Sequence, residues 1–253
     1  MDVMNTRRKE IVKFVNLKEH VSFQELKEKF PNVSDMTLRT DLKYLDQEKL
    51  LIRIHGGAKS LETISGNDDY ISRRFIKNTD DKKIIAQKAI QLVEENKTIF
   101  IDSGSTTTYF SQLFPNQKNI IYTSGLTCAT ELSKLTTPKV HITGGVINTN
   151  SLSVNGLHGI NYLKNINFDI AFIGVTKFSS RTGFTCESSE DAELKRAVIT
   201  KSDKVIVLMD SSKVNLNGTY TICELKDVDI IVSDSKLPDD FLNKCKNQGV
   251  TIR

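Results

Sequence analysis

The sequence predicts an α/β protein in two parts, a small helical domain at residues 1–58 and a larger, mainly parallel α/β domain at residues 80–253. Apolar residues recur at helical spacing, with capping signals, through the first part. From Thr98 onward, short apolar runs alternate with helical stretches, a pattern typical of parallel strands joined by crossover helices. Residues 59–79 show no sustained periodicity and predict a linker, with a short helix around 70–76.

The composition is that of an ordinary globular protein. Of its 253 residues, 38% are hydrophobic and 26% are charged, which argues against the disordered and fibrous classes. No apolar run approaches the roughly 18–20 residues of a membrane span, and Met1–Glu10 lacks a signal-peptide core. We therefore expect a cytoplasmic protein.

The cysteines indicate neither a disulfide framework nor a metal site. None of the four stands in a C-x-x-C spacing or beside a histidine, so we expect buried, reduced thiols that pack as small apolar groups. They are Cys128, Cys186, Cys223 and Cys245. We expect no metal and no other cofactor.

Two helices are predicted ahead of Pro31. The first lies within Thr6–His20, where Ile11 and Val15 recur on one helical face. The second begins at an S-x-x-E capping box that starts at Ser22, in which the hydroxyl and the carboxylate each bind a free backbone amide. Pro31 ends this second helix because proline cannot donate to the helical ladder.

A third helix is predicted over Asp35–Glu48, with Ser34 as its N-cap. Leu38, Leu42 and Leu45 share one face and must pack against the first two helices. The opposite face is short and polar near its start and basic further on, as in helices that enter the DNA major groove. That face and its flanks carry Met36, Thr37, Arg39, Thr40, Lys43, Tyr44 and Gln47.

A strand pair follows the third helix. Leu50–Ala58 alternates apolar residues with Arg53 and His55 and closes on two glycines, which predicts the wing of a winged helix-turn-helix with its polar side toward the sugar-phosphate backbone. Residues 1–60 hold 12 Lys and Arg against 9 Asp and Glu, whereas the remainder holds 23 against 22. The excess positive charge therefore lies where phosphates would be met.

These features predict that the first domain binds double-stranded DNA. A three-helix module that binds another protein is the alternative that periodicity alone leaves open. The candidate DNA contacts are Ser22, Ser34, Asp35, Met36, Thr37, Arg39, Thr40, Lys43, Arg53 and His55.

The second domain is predicted to hold a mainly parallel sheet covered on both faces. The predicted strands are Thr98–Asp102, Ile120–Tyr122, Val140–Thr143, Ile170–Val175, Lys204–Met209 and Ile230–Val232. The predicted helices include Thr107–Leu113, Thr127–Leu135, Asp191–Lys201 and Asp239–Lys246. Ligands of such sheets bind beyond the carboxyl ends of the strands.

The turn after the first of these strands suits a phosphate or another small anion. It contains Asp102, Ser103, Gly104, Ser105, Thr106 and Thr107, and the helix that follows directs free amides at the same point. The turn lacks the lysine and the spacing of a nucleoside-triphosphate loop, and no G-x-G-x-x-G occurs. A simple strand-to-helix turn with a hydroxyl N-cap is the alternative.

Other strand ends carry further candidates. Asp210 is expected to accept hydrogen bonds from sugar hydroxyls, and Lys213 to neutralise a phosphate. Gly144 and Gly145 let the backbone approach a ligand closely. Glu187, Asp191, Glu193 and Lys195 surround the start of a helix, where a solvated helix face is the alternative. Of these four, Glu193 and Lys195 are retained as candidates.

The chain resembles the DeoR family of bacterial transcriptional regulators. The motifs that carry the resemblance are Val33–Leu42, Ile54–Ala58, Ile101–Thr107, Thr143–Gly145, Asp169–Gly174, Glu193–Ala197 and Asp210–Lys213. The resemblance covers essentially the whole chain and implies an effector domain related in fold to ribose-5-phosphate isomerase. It also implies a phosphorylated sugar or related metabolite as ligand, with its phosphate at Ser103–Thr107 and Lys213 nearby.

Two positions depart from the family pattern. Thr40 stands where family members usually have a second arginine, which removes one expected phosphate or base contact. Ser124 stands where an asparagine is more common, which alters the expected wall of the ligand pocket.

The function expected is that of a sugar-operon regulator, more specifically a repressor, that binds operator DNA as a homo-oligomer and responds to its metabolite. A sugar-phosphate isomerase with an appended helix-turn-helix is the alternative. Such an enzyme needs several acidic groups at the sugar carbons, whereas the corresponding stretch, Asp169–Thr176, is largely apolar. Induction and corepression both remain open.

Overall fold

The structure, a computed structural model, describes residues 3–18, 20–60 and 70–253. The chain divides into two compact units, which we call the amino-terminal unit (residues 1–68) and the carboxy-terminal unit (residues 69–253). Of the predicted linker, Lys59 ends a strand and Ile71–Ile76 forms a helix. Its central residues, 61–69, lie outside the described part of the chain.

The amino-terminal unit contains three helices and a small antiparallel sheet of strand order β1-β3-β2. Both β1 and β2 pair with β3, so that His20 and Ile52 lie on either side of Lys59. The elements are α1 (Val3–Lys18), β1 (His20–Ser22), α2 (Phe23–Lys29), α3 (Asp35–Gln47), β2 (Ile52–Ile54) and β3 (Gly57–Lys59).

Both predicted helix starts are confirmed. At α2, the Ser22 hydroxyl accepts from the amide of Glu25, and the Glu25 carboxylate accepts from the amide of Ser22. At α3, the Ser34 hydroxyl accepts from the amide of Thr37. The first helix was predicted to reach His20, but α1 ends at Lys18 because His20–Ser22 pairs with the wing as a third strand.

The core of this unit forms where the helical spacing predicts it. Leu38, Leu42 and Leu45 are buried on the inner face of α3 and pack with Ile11 and Val15 of α1. Burying such aliphatic side chains stabilises the unit by about 1.5–3 kcal/mol each. The opposite face of α3 is therefore free to meet a partner.

The carboxy-terminal unit is an α/β layer structure with smaller β elements at its rim. Its helices are α4 (Ile71–Ile76), α5 (Thr79–Ala89), α6 (Ser105–Gln112), α7 (Leu126–Leu132), α8 (Leu157–Leu163), α9 (Ser189–Ile199) and α10 (Asp239–Asn247). Its strands are β4 (Thr98–Ile101), β5 (Ile120–Thr123), β6 (Lys139–Ile142), β7 (Val146–Asn148), β8 (Ser153–Asn155), β9 (Phe168–Gly174), β10 (Lys177–Ser179), β11 (Gly183–Cys186), β12 (Ser202–Leu208), β13 (Tyr220–Cys223), β14 (Ile230–Val232) and β15 (Thr251–Ile252).

Seven strands form one parallel sheet in the order β15-β14-β12-β9-β4-β5-β6. From β4 the chain proceeds outward through β5 and β6, and from β9 it proceeds the other way through β12, β14 and β15. The direction in which successive strands are added across the sheet therefore reverses between β4 and β9. Open parallel sheets bind ligands in the crevice at such a reversal, beyond the carboxyl ends of the strands.

Alternate residues of the strands pack on opposite faces of the sheet, as predicted for strands buried on both sides. Ile99 and Ile101 lie in a core with Phe110 of α6, whereas Phe100 lies in a second core with Leu194 of α9. Two smaller sheets were not predicted, β10-β11-β13 and the hairpin β7-β8. Their three- and four-residue strands are too short to carry a clear periodicity.

The cysteines behave as predicted, since Cys128, Cys186, Cys223 and Cys245 are all buried free thiols. Among the described residues, no helix is long and apolar enough to cross a membrane.

Candidate functional site

The outer face of α3 is the first candidate site. Met36, Arg39, Thr40 and Lys43 are exposed there, and Thr37 is partly exposed. They lie opposite the buried leucines, and the capped first turn presents their side chains from a rigid backbone. Such a face has the size and chemistry that a DNA major groove accepts.

Arg39 is positioned by an aromatic neighbour. Its guanidinium carbon lies 4.4 Å from the ring centre of Phe23, the first residue of α2. Asp35, at the start of α3, pairs with Lys27 at 3.0 Å. The exposed Arg53 and His55 belong to β2 and to the turn that follows it, as the predicted wing requires.

Ser22 does not fit the role predicted for it. Its hydroxyl donates to the Glu25 carboxylate at 2.9 Å and accepts from the Glu25 amide at 3.2 Å. Both functions of the hydroxyl are used by the capping box, so we remove Ser22 from the candidate DNA contacts. Ser34 is likewise a cap, with its hydroxyl 2.8 Å from that of Thr37.

A buried acidic residue that the sequence analysis missed joins α1 to α3. Asp41 lies on the inner face of α3, where one carboxylate oxygen accepts from Arg7 at 2.7 Å and the other from Arg8 at 2.8 Å. The Arg8 guanidinium also lies 3.7 Å from the ring centre of Tyr44. An aspartate between two core leucines was the signal in the sequence, since a buried carboxylate needs a partner.

The second candidate site lies at the carboxyl end of β4 and β9. Asp102, the first residue beyond β4, is buried, with its Oδ2 2.7 Å from Nζ of Lys195 and 2.9 Å from the amide of Gly174. Nζ of Lys195 also donates to the carbonyl oxygen of Gly174 at 2.7 Å. These contacts tie β4, β9 and α9 together.

The Asp102–Lys195 pair is ionised in our interpretation. Burial raises the pKa of Asp102. Burial is also the largest single effect on Lys195 and disfavours its charge, but the nearby Asp102, Cys186 and Asp191 together outweigh it, so the pKa of Lys195 is raised. The amide of Gly174 can only donate and favours a carboxylate opposite it. Asp102 is therefore bonded within the protein, and Lys195 already has its counter-ion.

The turn after Asp102 leads into the N-terminus of α6. Its N-cap residue is Gly104, so no side chain caps the first turn of the helix. Gly104 has φ +143°, and a Cβ at this position would lie 2.9 Å from Nη2 of Arg74. The Arg74 guanidinium of α4 thus lies directly against the start of α6. The Arg74 side chain forms no hydrogen bond or ion pair with any residue that the structure describes, although the backbone of Arg74 is hydrogen-bonded to Tyr70 and Lys82.

Only some of the predicted hydroxyls are available to a ligand at the start of α6. Thr107 and Thr108 donate to the carbonyl oxygen of Gly104 at 2.9 and 2.7 Å and are buried, so their hydroxyls serve the turn itself. Ser103, Ser105 and the partly exposed Thr106 form no side-chain hydrogen bond with a described residue. These three, the amides of the first turn of α6 and Arg74 are the groups available to an anion.

Three further predicted residues are the two glycines after β6 and Glu193 on α9. Gly145, next to Gly144 after the edge strand β6, has φ +144°, and a Cβ there would lie 2.1 Å from the carbonyl oxygen of Asn155. Gly145 therefore admits the neighbouring hairpin strand, whereas a Cβ at Gly144 would meet no atom within 4 Å. Glu193 is exposed. It lies on the side of α9 away from Lys195, because residues two apart are separated by about 200° around a helix. Glu193 is therefore removed from the candidate ligand contacts, whereas Gly144 and Gly145 remain predictions.

Asp210 and Lys213 lie on the turn after β12. Asp210 is buried and accepts from Nδ2 of Asn78 at 3.0 Å and from the amide of Ser212 at 3.2 Å. It caps the short 3-10 turn Ser211–Lys213. Its carboxylate is thus already hydrogen-bonded within the protein, and Lys213 is partly exposed beside it.

Three groups at this edge of the sheet were not among the retained candidates. Arg74 fell in the predicted linker. Asp191 and Asn155 meet at 2.5 Å, and Asp191 lies one helical turn before Lys195 on the same side of α9. The Oδ1 atom of Asn155 is buried and has no hydrogen-bond partner among the described residues.

Comparisons with known proteins point to the same family for both parts of the chain. The family models described as "DeoR-like helix-turn-helix domain" and "DeoR C terminal sensor domain" match residues 7–64 and 77–235. The HTH-type transcriptional regulator GolR of Listeria innocua is 30% identical over 98% of this chain and 97% of its own length. The L-fucose operon activator of Haemophilus influenzae is 30% identical over 98% of each chain.

Two further matches were found. The glycerol-3-phosphate regulon repressor of Escherichia coli is 28% identical over 92% of this chain and 91% of its own. Among solved structures, ribose 5-phosphate isomerase A of Methanocaldococcus jannaschii is 19% identical over 55% of each chain, with a TM-score of 0.41.

Proposed function

Because the chain belongs to the DeoR family of transcriptional regulators, we propose that a phosphorylated sugar or related metabolite, bound beyond β4 and β9, controls its affinity for operator DNA. Family membership makes this chain a DNA-binding regulator, and its relatives are regulators rather than enzymes. The sugar-phosphate isomerase alternative is therefore set aside.

The observation that carries the proposal is the position of Arg74 against Gly104. A cation without a counter-ion among the described residues lies at a helix N-terminus, against Gly104, whose neighbours in the chain are Ser103 and Ser105. Backbone amides and a guanidinium are the donors that phosphate oxygens accept most strongly. The place also coincides with the reversal of strand order, where sheets of this kind bind ligands.

The sugar end of the ligand is proposed to lie beside the phosphate. Asp102 is next to Ser103 in the chain and contacts Lys195, and Asp191 lies one turn away from Lys195 on α9. The unpartnered Oδ1 of Asn155 and the carboxylate of Asp191 can accept hydrogen bonds from hydroxyl groups. We propose these two residues, in place of Glu193, as contacts to the sugar.

At the DNA end, we propose that α3 lies in the major groove and that Arg53 and His55 contact the backbone. The chain would act as a homo-oligomer, because two recognition helices need half-sites about 34–36 Å apart, or a multiple of that distance. A coupling of about 1–3 kcal/mol between ligand and DNA would change operator affinity roughly 5–150-fold.

The genes controlled are proposed to be those of sugar use, with repression as the action. The relatives are named both as repressors, as for the glycerol-3-phosphate regulon, and as an activator, as for the L-fucose operon. Both signs of regulation therefore occur among similar chains, and the direction of the ligand effect is to be measured rather than assigned.

Thermal unfolding of the full chain with triose and hexose phosphates, each paired with its unphosphorylated parent sugar, tests the proposal. A phosphate ester at 100 times its dissociation constant should raise the melting temperature by about 5–10 °C. The parent sugar should leave it unchanged. Equal shifts from both members of every pair would refute a phosphate site.

A further inference from the structure

Two side chains at the start of α3 are suited to recognising methyl groups rather than hydrogen-bonding edges of bases. We propose that Met36 and Thr40 contact the C5-methyl groups of thymine in the major groove and so select A·T pairs at those operator positions. The inference rests on the proposal that α3 enters the major groove, and it names what these residues would recognise.

Met36 has no packing role in the described structure. Its side chain is 81% exposed, the highest value among the large hydrophobic residues that the structure describes. It is the second residue of a capped helix, within the turn that recognition helices direct at base edges. A flexible thioether at such a place offers only apolar surface to the groove.

Thr40 offers a methyl group beside Met36. The Thr40 hydroxyl donates to the carbonyl oxygen of Met36 at 2.8 Å, so its proton is used within the helix. Its methyl group, and its hydroxyl oxygen as an acceptor only, are then the parts of this exposed side chain available to a partner. Residues four apart lie on the same side of a helix, so the Met36 and Thr40 side chains form one small apolar surface, the methyl-contact pair.

The surroundings of the methyl-contact pair are polar and basic. Arg39, held over Phe23, lies next to it in the chain, and the exposed Lys43 follows one turn later. Cationic groups suit guanine edges or phosphates, whereas apolar groups suit the thymine methyl, which only A·T pairs present in the major groove. The pair therefore specifies thymine at one or two positions within each half-site.

Replacement of a thymidine by deoxyuridine tests each proposed methyl contact, since it removes only the C5-methyl group of that base. The full chain is first used to select duplexes from a library with a randomised core. Each thymine of the selected half-site is then replaced in turn. We expect a loss of about three- to fourfold in affinity at one or two positions, the effect of one buried methyl group, and no loss elsewhere.

Matched variants assign each methyl contact to its side chain. Thr40→Ser removes the methyl but keeps the hydroxyl, whereas Thr40→Val keeps a methyl and removes the hydroxyl. Likewise, Met36→Gln replaces the thioether by an amide of similar length, and Met36→Leu stays apolar. Thr40→Ser and Met36→Gln should abolish the deoxyuridine effect at their respective positions, and Thr40→Val and Met36→Leu should retain it.

The outcomes separate the inference from the function on which it rests. Failure to enrich any duplex would refute sequence-specific DNA binding by this chain. Enrichment of a defined half-site that binds equally well with uracil at every position would refute the methyl contacts alone. An unchanged deoxyuridine effect in both Thr40→Ser and Met36→Gln would also refute them, and equal melting temperatures among the variants exclude misfolding as the cause.

Discussion

Nζ of Lys195 lies 2.7 Å from Oδ2 of Asp102, so that α9 is tied to the end of β4 through a buried ion pair. The same ammonium group donates to the carbonyl oxygen of Gly174, and Asp102 accepts from the amide of Gly174. Every group of this network thus has a partner on a different element. The network holds β4 and β9 at the reversal of strand order, immediately behind the proposed ligand.

Lys195→Met should destabilise the carboxy-terminal unit by about 3–5 kcal/mol, because it leaves the Asp102 carboxylate buried without a counter-ion. The measurement is urea unfolding followed by circular dichroism. The control is Lys236→Met, which removes an exposed pair with Asp81 at 2.7 Å and should cost at most about 1 kcal/mol. Similar costs for both variants would contradict the structural role of the buried pair.

Arg74→Gln should weaken binding of the phosphorylated ligand by about 1.5–3 kcal/mol, the value of a hydrogen bond to a charged group. The ligand-dependent rise in melting temperature should shrink, while the melting temperature of the free protein stays nearly constant, since the guanidinium of Arg74 has no hydrogen-bond or ion-pair partner among the described residues. Arg181→Gln removes an exposed arginine of the same unit and serves as the control. Unaltered affinity in Arg74→Gln would remove Arg74 from the site.

Arg39→Ala should weaken operator binding by about 1–3 kcal/mol if its guanidinium contacts a base. Loss of its contact with Phe23 should cost only about 0.5–1 kcal/mol of stability, because the pair is exposed. Fluorescence anisotropy with a labelled duplex measures the affinity. Lys118→Ala, an exposed cation of the carboxy-terminal unit, is the control for charge. Equal affinities of Arg39→Ala and wild type would contradict the predicted contact.

The capping box of α2 should show an acid-dependent signature. The hydrogen bond from Lys18, together with those from Ser22, lowers the pKa of Glu25 from 4.5 to about 2. A carboxyl with a depressed pKa stabilises the fold fully above about pH 4.5, and this contribution is lost as the pH falls toward 2.

A carbon-detected NMR titration of the Glu25 carboxyl measures that pKa directly. Glu25→Gln keeps a capping side chain but has no titration, so unfolding of the amino-terminal unit should depend less on pH between 4.5 and 2 than in wild type. A Glu25 pKa at its ordinary value would show that the Glu25 carboxylate does not keep its contacts with Lys18 and Ser22 in solution.

Local sequence signals were sufficient for much of the amino-terminal unit. The capping serines and the leucines of α3 act through neighbours within one or two helical turns, so their spacing alone predicts the helix and its buried face. The same holds for the apolar runs of β4 and β9. The strand His20–Ser22 escaped prediction because it exists only through pairing with Gly57–Lys59, far along the chain.

The candidate ligand site was only partly predictable for a related reason. Ser103–Thr107 was found because a strand, a glycine and a helix follow one another directly. Whether each hydroxyl faces a ligand depends on the turn, and Thr107 proved to bond the carbonyl of Gly104. Glu193 and Lys195 are two residues apart, yet they lie on opposite sides of α9, one exposed and one buried.

The sequence by itself therefore determined the two-part architecture, the parallel character of the sheet and the helix that presents Arg39, because these depend on periodicity and short-range capping. Only the tertiary structure decided the strand order that reverses between β4 and β9 and the position of Arg74 against Gly104. The strand order and the contact between Arg74 and Gly104 both arise from packing between residues that are distant in the chain. Local sequence patterns carry no information about such packing.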